Sequence, residues 1–393
     1  MTTITRTIVR SLLLIAVSSE LSASPNATGT RPADSTRSSK SMDASNPIVA
    51  PQKTLADALL AFELEGADAP EAWQKLNSLI ATAVAKFGHA QPQELEAAKA
   101  MRFFRAVDEA LIEGNVIFPP TGTVELLRDA LERRQPTDRE LRPALQNFAN
   151  ARRSLFIQFA RAHKEPLYYF DCDLAAIIYV SAAEQLGLPV FLVELPGHNF
   201  VRWQSPAVTI NWDPNDGISK SDQHFAQVVG VTAEGRALFG YLENRTRERI
   251  FSYWLVRRGQ RKARDGNFAP ALADFRAAVK VAPDDLVAWN ELAWLLATSP
   301  DRAIRDGREA CEIADKIVTR SRQINWLETA AAASSETGDF PRAVAMEAEA
   351  RQMAAAWLQT KRRTGSLGGF DLCLKAYRQN LSYASAIKSG LIK

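Results

Sequence analysis

The sequence predicts an α+β core domain that is preceded by helices and followed by an all-α array of helical repeats. Between residues 155 and 250, an apolar helical stretch is followed by short runs in which polar and apolar residues alternate, a pattern typical of a small antiparallel sheet. Residues 53–154 and 251–360 instead space their apolar residues three and four apart, which indicates amphipathic helices. A chain of 393 residues is long enough for two or three such domains.

The first 52 residues have the composition of a leader and a linker. Arg6 and Arg10 precede the apolar run 11–17, and small residues follow at 22–24, as in a secretory signal peptide over residues 1–24. The apolar run is too short to span a membrane. Residues 25–52 are rich in Ser, Thr, Pro and Asn and predict a disordered linker. We therefore expect a secreted or periplasmic bacterial protein.

Composition excludes several classes of protein. A hydrophobic content of 46% and a charged content of 24% are those of a globular protein, and a net charge of +3 without a dense basic cluster argues against nucleic-acid binding. The three cysteines, Cys172, Cys311 and Cys373, are far apart, and the four histidines lack zinc-ligand spacing. We expect no metal and no cofactor. In an oxidising compartment Cys311 and Cys373 could pair, which would leave Cys172 as the free thiol.

The core domain is predicted to contain one helix and three strands. The apolar helix begins at Cys172, where Asp171 can cap it. Residues 189–195 form a continuous apolar strand suited to burial on both faces. Two shorter strands follow, over residues 198–203 and 208–213.

The two short strands predict a contact between His198 and Asp213. Alternation places Asp213 on the polar face of its strand. A hairpin centred between Ser205 and Pro206 would put His198 directly opposite Asp213, with Cβ atoms about 5 Å apart. That spacing suits a carboxylate that orients an imidazole. A slip of one residue would move the two side chains to opposite faces.

Cys172 occupies a position that favours a thiolate. The unpaired N–H groups and the dipole at a helix start lower a thiol pKa, and the same N–H groups can donate to a developing oxyanion. Asp171 and Asp173 oppose thiolate formation unless they cap or pair elsewhere. A cysteine at this position is also commonly a small buried hydrophobe. With His198 and Asp213, Cys172 completes the set of groups that thiol acyl transfer requires.

Residues 155–243 resemble the transglutaminase-like superfamily, which has a papain-like thiol fold. The motifs that carry this resemblance are DC at 171–172, GLPV at 187–190, PGHNFVRW at 196–203 and NWDPNDG at 211–217. The resemblance implies a helix packed on a small antiparallel sheet over residues 155–250. It also implies that Cys172 is the nucleophile, His198 the base and Asp213 the orienting carboxylate.

The resemblance leaves the oxyanion side chain and the activity open. Members of the superfamily often carry such a side chain upstream of the cysteine, and Tyr168 and Tyr169 are the candidates here. Some members are inactive, so a fold without turnover stays an alternative.

Four residues are candidates for substrate binding: Tyr169, Arg202, Trp203 and Asn211. Arg202 shares the face of His198 and would bind a substrate carboxylate, or else pair with a nearby acid. Trp203 would border the thiol cleft or pack in the core. Asn211 would contact substrate, or its side chain would stabilise the turn in the segment 211–217.

Residues 251–360 have the spacing of tetratricopeptide repeats, whose period is about 34 residues. Further units start near Leu286 and Leu327, and such units bury their apolar faces only by stacking on one another. A helical tail over residues 361–393 closes the predicted array. The first unit has small and aromatic residues at Gly259, Gly266, Phe268, Ala271, Phe275, Ala278 and Pro283.

The sequence therefore predicts an exported thiol enzyme that passes an acyl group from Cys172 to water, as a peptidase or amidase, or to an amine, as a transglutaminase. Hydrolysis is favoured because water is the more abundant acceptor. The repeats are expected to bind a protein partner or a peptide substrate, with no nucleic-acid partner and no membrane span apart from the signal segment. The alternative is a catalytically inactive transglutaminase-like fold that acts as a repeat-containing adaptor.

Overall fold

A computed structural model describes residues 54–63, 70–88, 94–114, 116–117, 168–169, 172–215, 217–360 and 365–392. Contacts divide these residues into two compact units. The sheet unit contains the described residues up to Arg247, and the helical unit contains those from Glu248 onward. The predicted signal peptide, the predicted linker and the whole of residues 118–167, with the helices predicted there, lie outside the described residues.

The sheet unit begins with helices in the region where apolar periodicity predicted them. These helices are α1 (Leu55–Glu63), α2 (Pro70–Phe87) and α3 (Glu96–Glu113). Two short strands, β1 (Val116–Ile117) and β2 (Tyr168–Tyr169), pair in parallel.

Helix α4 (Cys172–Leu186) is the central helix of the sheet unit. It is buried along almost its whole length, as expected for a helix that is apolar on all sides. Two of its polar side chains bind the start of α1: Glu184 accepts the N–H of Leu55 at 2.6 Å and Ser181 accepts the N–H of Ala56 at 2.8 Å. These bonds satisfy N–H groups that a helix start leaves unpaired.

A four-stranded antiparallel sheet packs against α4. Its strands lie in chain order: β3 (Val190–Leu195), β4 (His198–Gln204), β5 (Thr209–Asp213) and β6 (Ile218–Ser219). One face carries Trp212, whose ring stacks on Phe104 of α3 at 5.3 Å between centroids. The other face carries Phe200, which stacks at 4.2 Å on Phe225 of a following helix. The sheet is therefore covered on both faces around β4.

The expectation that β3 is buried on both faces is wrong at one position, since Phe191 is 37% exposed. Strand β3 lies at the edge of the sheet. The apolar cluster around Phe225 and Leu242 covers Val193 and Leu195 but not the start of the strand. Helices α5 (Asp222–Val229) and α6 (Ala233–Phe239) complete the sheet unit.

The helical unit consists of consecutive helices that pack on their chain neighbours, in agreement with the predicted helical texture. A side chain at Gly259 has no space, because a Cβ there would lie 2.6 Å from the ring of Phe275. The helices are α7, which begins at the boundary (Arg247–Arg264), α8 (Phe268–Val281), α9 (Leu286–Thr298), α10 (Gly307–Arg320), α11 (Ile324–Glu336), α12 (Phe340–Thr360), α13 (Gly368–Arg378) and α14 (Tyr383–Lys388).

Further contacts in the helical unit extend beyond chain neighbours. Helix α9 packs against α11, as alternate helices do in stacked repeats, and the short α14 packs against both of them. The ring of Tyr383 meets Trp294 at 5.2 Å, and its backbone N–H donates to Ser335 at 3.2 Å. The C-terminal segment is thus part of the helical core.

Candidate active site

Cys172 is the first residue of α4 and is half-buried. Its Sγ lies 3.6 Å from Oδ1 of Asp173, in donor geometry toward the carboxylate. Asp173 is buried and accepts a 2.5 Å hydrogen bond from Nδ2 of Asn199. The acidic neighbour of the thiol therefore has a partner on β4.

The bond between Asn199 and Asp173 joins β4 to α4 close in sequence to His198 and Cys172. Asn199 follows His198 on β4, and Asp173 follows Cys172 on α4. Asp173 is the second residue of α4, and Asn199 is the second residue of β4. Their bond therefore holds the first turn of α4 beside the start of β4. The structure thus brings Cys172 and His198 to the same end of the sheet unit.

His198 and Asp213 lie close together on one face of the sheet. Nε2 of His198 is 3.3 Å from Oδ1 of Asp213, at an angle outside that of a hydrogen bond. The two side chains are 17% and 5% exposed, so solvent screens their attraction only weakly. This distance allows a carboxylate to orient an imidazole through electrostatic attraction.

The predicted register, with His198 directly opposite Asp213, is wrong by two residues. Val201 pairs with Trp212, and extension of this register places Asp213 opposite Phe200, diagonal to His198. The turn is responsible: Ser205 donates its N–H to the carbonyl of Val208 at 3.0 Å, which centres the hairpin one residue later than predicted. A shift of two residues preserves the faces, and diagonal neighbours remain within reach of long side chains.

Asp213 has a second cationic partner. Its Oδ2 accepts a 2.6 Å bond from Nζ of Lys220, and its Oδ1 accepts the N–H of Asn215 at 3.0 Å. Burial alone would raise the pKa of Asp213, but the close approach of His198 and the bond and charge of Lys220 outweigh it and hold the pKa well below its usual range. The carboxylate therefore stays ionised at neutral pH.

Arg202 and Asn211 form a buried network beside this pair. The guanidinium donates to Oδ1 of Asn211 at 2.8 Å, to Oδ1 of Asp222 at 2.6 Å and to the carbonyl of Leu242 at 3.0 Å. Asn211 itself donates to Asp222 at 2.7 Å. Both predicted substrate contacts are buried and engaged by protein groups, and Arg202 pairs with the nearby acid Asp222, whose side chain is 45% exposed.

The remaining candidates do not join the cluster. Trp203 is completely buried and its ring lies 6.3 Å from that of Phe103, on the face of the sheet that packs against the helices. Tyr169 contributes its backbone to β2, and its side chain lies outside the described residues. Substrate binding by these residues stays a prediction.

Two residues of the cluster were not predicted from the sequence. Asn199 lies on the apolar face of β4, where alternation offered no reason to expect a functional contact. Lys220 follows the short strand β6 and reaches Asp213 only because the chain turns back after β5. Neither has a sequence signal beyond a polar side chain close to a candidate residue.

The described residues show no disulfide, no metal-binding cluster and no membrane-spanning helix. Cys172, Cys311 and Cys373 form no disulfide with one another, so Cys311 and Cys373 do not pair here. Within the described ranges, no group of three or more His, Cys, Asp or Glu residues is arranged to hold a metal ion. Across the same residues, no helix combines the length and the apolarity needed to cross a bilayer.

Comparison with known proteins finds one similarity. Residues 174–246 match the family model described as transglutaminase-like superfamily. The matched segment contains His198 and Asp213 and begins two residues after Cys172. The chain matches no curated protein and no solved structure. The sheet unit therefore carries a transglutaminase-like domain, with a four-stranded antiparallel sheet packed against a helix.

Proposed function

We propose that the protein is a thiol acyl-transfer enzyme in which Cys172, His198 and Asp213 carry the reaction. The observation that supports this most is the 3.3 Å approach of His198 to an ionised, buried Asp213 at the end of the sheet where α4 begins. A thiol at a helix start, an imidazole and a buried carboxylate are the groups that covalent catalysis by cysteine requires.

The proposed reaction begins when the Cys172 thiol gives its proton to Nδ1 of His198, the ring nitrogen that does not face Asp213. The sulfur attacks the carbonyl carbon of an amide, and the carbon–nitrogen bond breaks as His198 passes the proton to the leaving amine. Water or a second amine then attacks the thioester and gives its proton to His198. The carbon–sulfur bond breaks, and that proton returns to the sulfur.

The first turn of α4 is proposed to stabilise the oxyanion. N–H groups at a helix start have no intrahelical acceptor, and donors aimed at a developing negative charge commonly supply the largest part of the rate enhancement. This assignment needs no side chain upstream of Cys172. Tyr169 stays a second candidate for the same role.

The helical unit is proposed to be a tetratricopeptide array that binds a protein or peptide partner. The close contact of Gly259 with Phe275 supports the proposal, because these are a small and an aromatic position of the predicted first repeat. The packing of α9 on α11 agrees with stacked units. Export to a bacterial periplasm is proposed from the first 24 residues of the sequence alone.

Two observations favour a second candidate function, an adaptor that does not turn over substrate. The family match begins after Cys172, and the thiol faces the carboxylate of Asp173 at 3.6 Å, which opposes thiolate formation. In that case the helical unit alone would carry the function.

The test of acyl transfer uses hydroxylamine as the acceptor. The full chain is incubated with a library of acylated peptide amides, and mass spectrometry measures hydroxamate products in the presence of hydroxylamine and carboxylic acids in its absence. We expect Cys172→Ala to lower product formation at least about 10³-fold, because the nucleophile is lost.

The matched control is Cys311→Ala, which removes a thiol from the helical unit and should leave product formation unchanged. If the wild type and Cys172→Ala form the same amount of product across the library, the adaptor function is the better account.

A further inference from the structure

Helix α7 concentrates positive charge in the helical unit. Seven of its eighteen residues are Arg or Lys, and Glu248 is the one acidic residue of the helix. Five of the seven basic residues lie in the stretch 257–264 at its C-terminal end. The structure divides these five side chains into two sets with different surroundings.

The first set consists of Arg258 and Lys262, which a buried acid of the next helix binds. Arg258 donates to both carboxylate oxygens of Asp274 on α8, at 2.5 and 2.9 Å. Nζ of Lys262 lies 3.1 Å from Oδ2 of the same group. Because Asp274 is 4% exposed, these two cations are explained as parts of the contact between α7 and α8.

The second set is a row of three arginines on an adjoining side of α7, Arg257, Arg261 and Arg264, called the arginine row below. Residues three and four apart are neighbours on a helix surface, and seven residues span about 10 Å. Arg264 is exposed, and the other two are partly exposed. The ring centroid of Tyr253, one turn before Arg257, lies 5.9 Å from its guanidinium carbon. An aromatic ring therefore ends the row.

The charges of the arginine row repel one another. Partial burial first, and the charges of Arg257 and Arg261 second, lower the pKa of Arg264. The attraction of Asp265 is weaker than either of these repulsions. Glu291 on α9 attracts Arg257 at the other end of the row. At its exposed end, repulsion therefore exceeds attraction, and an anion placed there gains free energy.

The size of the arginine row favours one class of anionic partner. Sites for double-stranded DNA commonly contact about six to ten phosphates, and polybasic sites for membranes commonly contain about four to eight Lys or Arg residues. The row offers three guanidinium groups and one aromatic ring over a short distance. A short acidic peptide matches this size, and carboxylates bind guanidinium groups through two parallel hydrogen bonds.

We propose that the arginine row is the docking surface for an acidic peptide segment of a partner protein, with an apolar side chain of that segment against Tyr253. The proposal rests on the proposed function in one respect, because it names the class of partner that the helical unit binds. It requires neither tetratricopeptide repeats nor turnover at Cys172.

The test measures binding of a fluorescein-labelled peptide of eight glutamates and one central leucine to the full chain by fluorescence anisotropy. We expect saturable binding at low salt that weakens as salt is added, because ions screen exposed charges. Arg264→Gln should weaken binding about threefold, and Arg261→Gln combined with Arg264→Gln about tenfold, because exposed ion pairs contribute modestly and separately. Arg264→Lys should retain most of the affinity because it keeps the charge.

The matched control is Arg276→Gln, which removes an exposed arginine of α8 that pairs with Glu309 at 2.8 Å. It takes the same charge from the helical unit and should leave peptide binding unchanged. The proposal is overturned if the wild type does not bind the peptide at low salt, or if the double variant binds it as tightly as the wild type. Tighter binding of a single strand of ten thymidine nucleotides, or of phosphatidylglycerol vesicles, would also overturn it.

Peptide binding and acyl transfer can fail independently. Cys172→Ala should bind the acidic peptide as the wild type does. Binding through the arginine row without acyl transfer would sustain the docking surface and reject the enzyme. Acyl transfer that requires Cys172, together with no binding of the acidic peptide, would sustain the enzyme and reject the docking surface.

Discussion

The two units differ in the pKa of a buried carboxyl group. The sheet unit contains Asp213, and the helical unit contains Glu347. Their exposed fractions are 3% and 1%. Asp213 faces Lys220 and His198, and its pKa is held below the usual range. For Glu347, burial first and the charge of Glu328 second raise the pKa to about 8, and no hydrogen-bond partner for its Oε1 lies among the described residues.

The difference teaches that burial alone does not decide the protonation state of an acid. Burial raises the pKa of both groups, and only the cations near Asp213 reverse its effect. A buried carboxylate that is kept charged needs a cation or hydrogen-bond donors placed beside it. Such an arrangement is characteristic of functional sites, whereas a neutral buried acid is compatible with simple packing.

Arg202→Met should give the largest effect, a loss of about 4 kcal/mol in the free energy of unfolding of the sheet unit. The change removes the donor from two buried acceptors, Oδ1 of Asn211 and the carbonyl of Leu242, and leaves Asp222 with its bond from Asn211 alone. Hydrogen exchange of the amides of β4 and β5 measures it. The control Arg322→Met removes an exposed partner of Glu349 in the helical unit and should cost less than about 1 kcal/mol. Equal losses would mean that the buried network contributes no more than a surface pair.

Asp213→Asn should cost about 3 kcal/mol at pH 7, because Lys220 loses its buried partner. The native pKa of Asp213 is depressed, so the stabilisation is fully present above the ordinary value of about 4 and is lost as the pH falls through the native value. The difference between wild type and variant should therefore shrink steadily from pH 5 to pH 2. A difference that is constant over this range would show that Asp213 stabilises the fold without its charge.

Glu347→Gln should have the smallest effect and the opposite pH dependence. Because the native pKa is raised to about 8, the unfolding free energy of the wild-type helical unit falls as the pH rises from about 4 to about 8. Glutamine cannot ionise, so the variant should be more stable by about 2 kcal/mol at pH 8 and nearly unchanged at pH 5. Exchange rates in α11 and α12 report the change.

Its control is Glu349→Gln, on the same helix, where Arg322 lowers the pKa of the acid. That variant should not gain stability at pH 8. A similar gain in both variants would point to net charge as the cause. If Glu347→Gln gains no stability at pH 8, ionisation of the buried Glu347 does not destabilise the helical unit.

The sequence predicted the faces of the sheet better than its register. Period-two alternation correctly placed His198 and Asp213 on one face, because side chains on neighbouring residues of a strand must point to opposite sides. The register depended on the turn at Ser205, whose hydrogen bond to Val208 no alternation pattern can reveal. An error of two residues was harmless here because it preserves the faces.

Burial of the polar candidates could not be predicted from local patterns. The partners of Arg202 come from β5, from α5 and from the segment at Leu242, so its environment exists only in the folded chain. The same holds for the bond from Asn199 to Asp173, which gives the acid beside Cys172 a partner on β4 and leaves its negative charge in place. Local sequence patterns predicted the candidate residues, but they could not predict these long-range contacts, which determine the partners of each residue in the folded chain.

The most direct measurement compares the three cysteines of one protein in one experiment. Iodoacetamide is added to the full chain at pH 7, and mass spectrometry follows the alkylation of each thiol over time. Burial raises the pKa of Cys373 to about 12 and also raises that of Cys311. We predict that Cys172 reacts fastest and Cys373 slowest, and that His198→Gln slows Cys172 alone. If Cys172 reacts no faster than Cys311, or if His198→Gln leaves its rate unchanged, the sheet unit does not contain an activated thiol.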